Sequence, residues 1–152
     1  MDGRKQLTTE VQIRKSRSHL LHLNKILSLI ASGLGMSRKD IEETETMVNE
    51  VCMTSIERTP DAQENLSVKL TTHDTHMTVE ITDRSTEFDL VCTEGLSGDY
   101  NRFGNLERFC HLVDGLDFIR GEMGTTIRIT KYANKLADLA HLSSLGTTSL
   151  QV

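Results

Sequence analysis

The hydrophobic pattern changes period twice between residues 37 and 89. Ile41, Thr44, Val48, Val51, Cys52, Ser55 and Ile56 recur at spacings of three and four, which puts them on one side of an α-helix. Glu42, Glu43, Glu45, Asn49 and Glu57 fill the other side. Ser37 is placed to cap the free amides at the helix start, and Asp40 falls in the first turn, where negative charge is favoured. Arg58-Thr59-Pro60-Asp61 stops the helix, because proline cannot continue the ladder and turns the residue before it away from helix. The period then drops to two. Leu66, Val68 and Leu70 alternate, and after a polar gap so do Met77, Val79 and Ile81, as in a half-buried hairpin. Asp83 follows directly. An acid at a strand end beside a helix carrying Glu50 is where a ligand site would be built.

The flanking chain extends the pattern. Leu7, Thr9, Val11 and Ile13 share one face of an opening strand. Ser16 or Ser18 then starts a helix to about Ser32, with Leu20, Leu23, Leu27, Ile30 and Leu34 as its stripe, widened by Leu21, Ile26 and Leu29. So wide a stripe points to burial against a sheet and to a partner. Gly33 and Gly35 end this helix. From Glu87 to Gly104 the periodicity disappears, which predicts a long loop of the kind that often forms a functional lid. Leu106, Phe109, Cys110, Leu112 and Val113 predict a short helix, and Leu116 to Ile119 a strand. After a turn at Gly121-Glu122-Met123-Gly124, Thr125 to Lys131 forms a strand with Ile127 and Ile129 inward. Leu136, Leu139, Ala140 and Leu142 predict a last short helix, and Gly146 to Val152 a loose tail. The sum is an α+β two-layer sandwich, with helices on one face of a mixed, mostly antiparallel sheet.

Composition narrows the function. A chain of 152 residues suits one domain with a full core. The net charge of −5 and the scattered basic residues argue against direct nucleic-acid binding, which needs a basic face. No apolar run approaches membrane-spanning length and no signal peptide opens the chain, so a cytoplasmic protein is expected. Cys52, Cys92 and Cys110 lack a CxxC spacing. Cys52 and Cys110 fall on helical apolar stripes and read as reduced core thiols. His19 and His22 lack a third metal ligand nearby, and His73-Asp74-Thr75-His76 reads as a hairpin tip. No nucleophile elbow of the GxSxG kind is present. Arg14, Lys15 and Arg17 read as a solvated helix start that could meet an acidic partner.

Four points in this order carry a resemblance: Glu50 within Met47-Val48-Asn49-Glu50-Val51-Cys52, Asp83 in Ile81-Thr82-Asp83-Arg84, Phe88-Asp89 just after, and Gly124-Thr125-Thr126 opening the last strand. From Leu7 to Lys131 the chain resembles the serine-kinase anti-sigma factors of the RsbW type, in the GHKL superfamily of Bergerat-fold, histidine-kinase-like ATPases. The resemblance implies a GHKL-like domain over residues 1–133, with a C-terminal helix and tail over 134–152. It implies Glu50 as catalytic base, Asp83 as reader of the adenine amino group, and Gly124 and Thr125 as the floor of a nucleotide pocket. Taken alone, Glu50 is a solvated helix acid and Asp83 a turn-former.

The departures from the family pattern cluster on the nucleotide. Where the family has a magnesium-binding Asn one turn after the Glu, this chain has Thr54, a poorer ligand for a hard cation. Two glycines that let the chain pass close to the nucleotide are replaced by Ser85 and Glu87. The glycine-rich phosphate loop reads Phe103-Gly104-Asn105-Leu106, with only the Leu in register, although such loops work through bare backbone amides. The leading expectation is an anti-sigma-like regulatory module. It binds a sigma factor or an antagonist with a phosphorylatable serine, is homodimeric, and has weak or lost ATP binding. The wide stripe of the first helix and the loop from Val91 to Phe103 are its candidate contact surfaces. The alternative is an active serine-protein kinase using ATP and Mg²⁺, with Glu50 as base, Thr54 on the metal, Asp83 on adenine, and Gly104 and Thr125 lining the pocket. A third possibility is an unrelated α+β binding domain.

Overall fold

Strand alternation and the turns between strands dictate the sheet. The structure, a computed structural model, describes residues 6–58, 65–84, 108–122 and 124–133. Five strands, β1 (Leu7–Ile13), β2 (Leu66–Thr72), β3 (His76–Asp83), β4 (Gly115–Gly121) and β5 (Gly124–Tyr132), lie in the order β1-β2-β3-β5-β4. Every pairing among the described residues is antiparallel. The β2–β3 hairpin closes at the expected His73–His76 tip, where the His73 N–H donates to the His76 carbonyl at 2.8 Å. The register Val68↔Ile81, Leu70↔Val79, Val79↔Ile129 and Ile81↔Ile127 stacks one buried face across the three central strands. The opposite face is polar and self-paired: Gln12 bonds Ser67, Thr82 bonds Thr126, and Arg128 pairs with Glu80 at 3.2 Å.

Two helices, α1 (Arg17–Leu34) and α2 (Arg38–Arg58), cover the apolar face. All seven positions of the α2 stripe are buried, including polar Thr44 and Ser55. The Ser37 hydroxyl accepts the Asp40 N–H at 3.1 Å, the cap the sequence implied. α1 starts where expected and runs slightly longer. Ser16 is its N-cap residue but makes no side-chain cap bond, and the helix continues through Gly33 to Leu34. Gly35, at φ 92°, turns the chain, and the Met36 N–H closes onto the Ala31 carbonyl at 3.1 Å. Leu20, Leu23, Leu27 and Ala31 face the core, whereas Leu21 and Leu29 are exposed.

Two readings are corrected. Lys15 is buried, not part of a solvated cluster. Cys110 is exposed, because the stretch around it tightens into a 3₁₀ turn, Cys110–Leu112, where a three-residue repeat replaces the helical stripe. Asp40 is fully buried. It lies 3.9 Å from the Lys131 ammonium, which also donates to Glu43 at 2.9 Å and to the Leu112 carbonyl at 2.6 Å. This buried lysine ties the start of α2 to the end of β5. The stretch from Glu87 to Gly104, expected to be a long loop, and residues 134–152, expected to be a helix and tail, lie outside the described residues. Among those described, no helix is long and apolar enough to cross a membrane.

Candidate functional site

Asp83 ends β3 in the inward phase set by Met77, Val79 and Ile81, so its carboxylate points under the helices and is fully buried. The inward phase of β1, from Leu7 through Ile13, continues one step past the strand to Lys15. That phase carries the lysine inward. Its Nζ lies 2.9 Å from Oδ2 and 3.1 Å from Oδ1 of Asp83, and the two side chains are 1% and 0% exposed. Ser55, from the buried stripe of α2, donates its hydroxyl to Oδ2 of the same carboxylate. Both oxygens of Asp83 are thus engaged by the protein's own donors. A buried carboxylate needs this kind of satisfaction, because an isolated charge in the interior is strongly unfavourable. Cys52 lies three residues before Ser55 on the same stripe. Burial, and then the negative charge of Asp83, push its thiol up to about 12.

Gly124 and Thr125 of β5 run against the backbone at the end of β3. Thr125 stands opposite Asp83 in the register and is buried. Gly124 has φ 123°, and a Cβ there would lie 2.3 Å from the Asp83 carbonyl oxygen. Only glycine lets β5 pass so close to the end of β3. Glu50 and Thr54 lie one turn apart on a partly buried flank of α2. The Thr54 hydroxyl donates to the Glu50 carbonyl at 2.8 Å, a back-bond that fixes the direction of its oxygen. The structure therefore brings Asp83, Gly124 and Thr125 together, and it sets Glu50 and Thr54 on the helix whose Ser55 reaches Asp83. Ser85, Glu87 and Gly104 lie outside the described residues. Among those described, no group of three or more His, Cys, Asp or Glu side chains could hold a metal ion.

Sequence reasoning missed two members of this cluster, Lys15 and Ser55. Each carried a signal: a cation in the inward phase of an apolar strand, and a hydroxyl inside an apolar helical stripe. A polar group at a buried position requires a partner, and Asp83, equally in phase, is that partner.

Comparison with known proteins bears on the fold. No family model matches the chain, and no curated protein gives a significant match. Among solved structures the chain is similar to the RsbU and RsbW domains of Rv1364c from Mycobacterium tuberculosis, at 16% identity and a TM-score of 0.59. The match covers 82% of this chain and 32% of that one, so the chain spans about a third of its neighbour's length. The shared feature is the architecture: two helices packed on a five-stranded antiparallel sheet, an α+β sandwich consistent with an RsbW-like fold.

Proposed function

We propose that the chain is a regulatory protein-binding module of a partner-switching system, similar to anti-sigma factors, in which the nucleotide site has become a structural anchor. The observation that carries this reading is the engagement of both Asp83 oxygens by Lys15 and Ser55. In an RsbW-type ATPase the matching acid receives the adenine amino group. Here a base would have to compete for the buried carboxylate with the Lys15 ammonium and the Ser55 hydroxyl. Thr54 in place of an amide ligand, Ser85 and Glu87 in place of glycines, and the altered loop at Gly104 support the same reading. The partner we infer is a sigma factor or a serine-bearing antagonist. The exposed Leu21 and Leu29 of α1 supply apolar contact surface for it.

The test is direct binding of the purified chain to sigma factors and serine antagonists from its source, with and without Mg-ATP. The reading expects binding to one of them with the same Kd in both conditions. Transfer of the γ-phosphate of ATP to a serine of the antagonist would refute it in favour of the kinase alternative.

A further inference from the structure

The chain has 22 acidic residues, yet none falls within the 18 residues of α1. Arg17, Leu21, Lys25 and Leu29 follow one another at intervals of four, which sets them along one ridge of the helix. All four are exposed, Leu21 at 64% and Leu29 at 75%. Among the described residues, neither Arg17 nor Lys25 takes part in a salt bridge. The ridge therefore alternates cation and leucine along the outer side of α1. At its far end Leu29 also walls a groove of about 480 Å³, together with Leu7 and Leu34. Apolar surface thus runs from the ridge into a recess.

Charge decides what fits there. A contact with a second copy would use the same patch twice, bringing the cations of both copies into one interface with no acid from either α1 to answer them. Electrostatic capture by an anionic membrane takes clusters of about four to eight lysines and arginines. This ridge offers only Arg17 and Lys25, on a chain of net charge −5. A protein helix with its own acids satisfies both halves of the pattern. Leucines at this spacing ask for an apolar stripe, and the cations between them ask for carboxylates beside it.

We propose that the α1 ridge takes an acidic amphipathic helix of the partner protein. Its apolar stripe lies on Leu21 and Leu29, one bulky apolar residue enters the groove beside Leu29, and its carboxylates pair with Arg17 and Lys25. This rests on the reading of the chain as a partner-binding module, and it names the chemistry the partner presents. The probe is a synthetic helix matched to the 18 residues of α1, with a leucine and phenylalanine stripe flanked by glutamates, against a counterpart flanked by lysines. Fluorescence anisotropy with the full chain should show saturable binding of the glutamate peptide, at least about tenfold tighter than the lysine peptide. The variant Arg17→Glu, Lys25→Glu should weaken it by about tenfold, and Leu29→Ser by about tenfold through lost apolar contact, with Tm unchanged because these positions are exposed. Equal affinity for the two peptides, no saturable binding, or unchanged affinity in the variants would overturn the proposal. Binding to phosphatidylglycerol vesicles without binding to the glutamate peptide would assign the ridge to a membrane and overturn it as well. A sigma factor or antagonist that binds the native chain and the Arg17→Glu, Lys25→Glu variant equally would overturn this inference and leave the partner reading standing. Glutamate-peptide binding that both substitutions weaken, with neither protein bound, would support the ridge assignment and count against the named partners instead.

Discussion

Replacing Lys15 by Met keeps the aliphatic stem and removes the charge. The ammonium lies 2.9 Å from Asp83 Oδ2. At an effective dielectric constant of about 20, the gross attraction at that separation is roughly 6 kcal/mol, much of it offset by the desolvation of both groups. The net worth of the pair is therefore small, but breaking it is a different quantity. Lys15→Met removes the counter-charge of a fully buried carboxylate, and removing one member of such a pair destabilises by about 3–5 kcal/mol. For a domain of this size that is a fall in Tm of roughly 6–20 °C. Asp83→Asn should destabilise similarly by removing the counter-charge of the buried lysine. The double variant Lys15→Met, Asp83→Asn should be more stable than the sum of the singles implies, by about 1–3 kcal/mol. Urea denaturation of all four proteins measures the cycle. Single-variant losses below about 1 kcal/mol, or additivity within about 0.5 kcal/mol, would refute the claim that this buried pair anchors the site.

Other outcomes follow from single positions. Gly124→Ala should destabilise by at least about 1–3 kcal/mol in denaturant unfolding, since φ 123° and the 2.3 Å approach to the Asp83 carbonyl both exclude a side chain. His76 stacks on His73 with ring centroids 4.2 Å apart, and burial, then the charge of His73, lower its pKa from 6.5. The unfolded chain therefore binds the proton more readily. The contribution of His76 is fully present above pH 6.5 and is lost as pH falls toward and through the folded pKa, a loss that His76→Gln should reduce in Tm measured against pH. A thiol reagent near pH 8 should modify exposed Cys110 in the native protein and leave Cys52, whose pKa is about 12, unmodified until the chain is unfolded, as read by peptide mass spectrometry.

Local periodicity made most of the fold legible. The three-and-four stripe of α2 is buried at every position from Ile41 to Ile56 that the pattern named, and the two-residue alternation of β2, β3 and β5 marks the residues that meet the helices. The misreadings have specific physical origins. Lys15 was grouped with Arg14 and Arg17 by adjacency, although its strand phase turns it inward, and its partner lies 68 residues away, where no local pattern reaches. Leu21 and Leu29 belong to a helix whose stripe is wider than the sheet can cover. Cys110 depended on helical geometry that the turn does not adopt. At the site, the phase of Met77, Val79 and Ile81 made the direction of Asp83 readable. Its occupation by Lys15 and Ser55 was not, because it depends on three elements meeting at one carboxylate.

The most direct test of the central claim is the melting temperature of the native chain titrated with Mg-ATP. A ligand at about a hundred times its Kd stabilises the fold by about 2.7 kcal/mol, which here would raise Tm by roughly 5–10 °C. With Asp83 committed to Lys15 and Ser55, the account predicts no shift up to millimolar Mg-ATP. A saturable, magnesium-dependent rise of that size would contradict it.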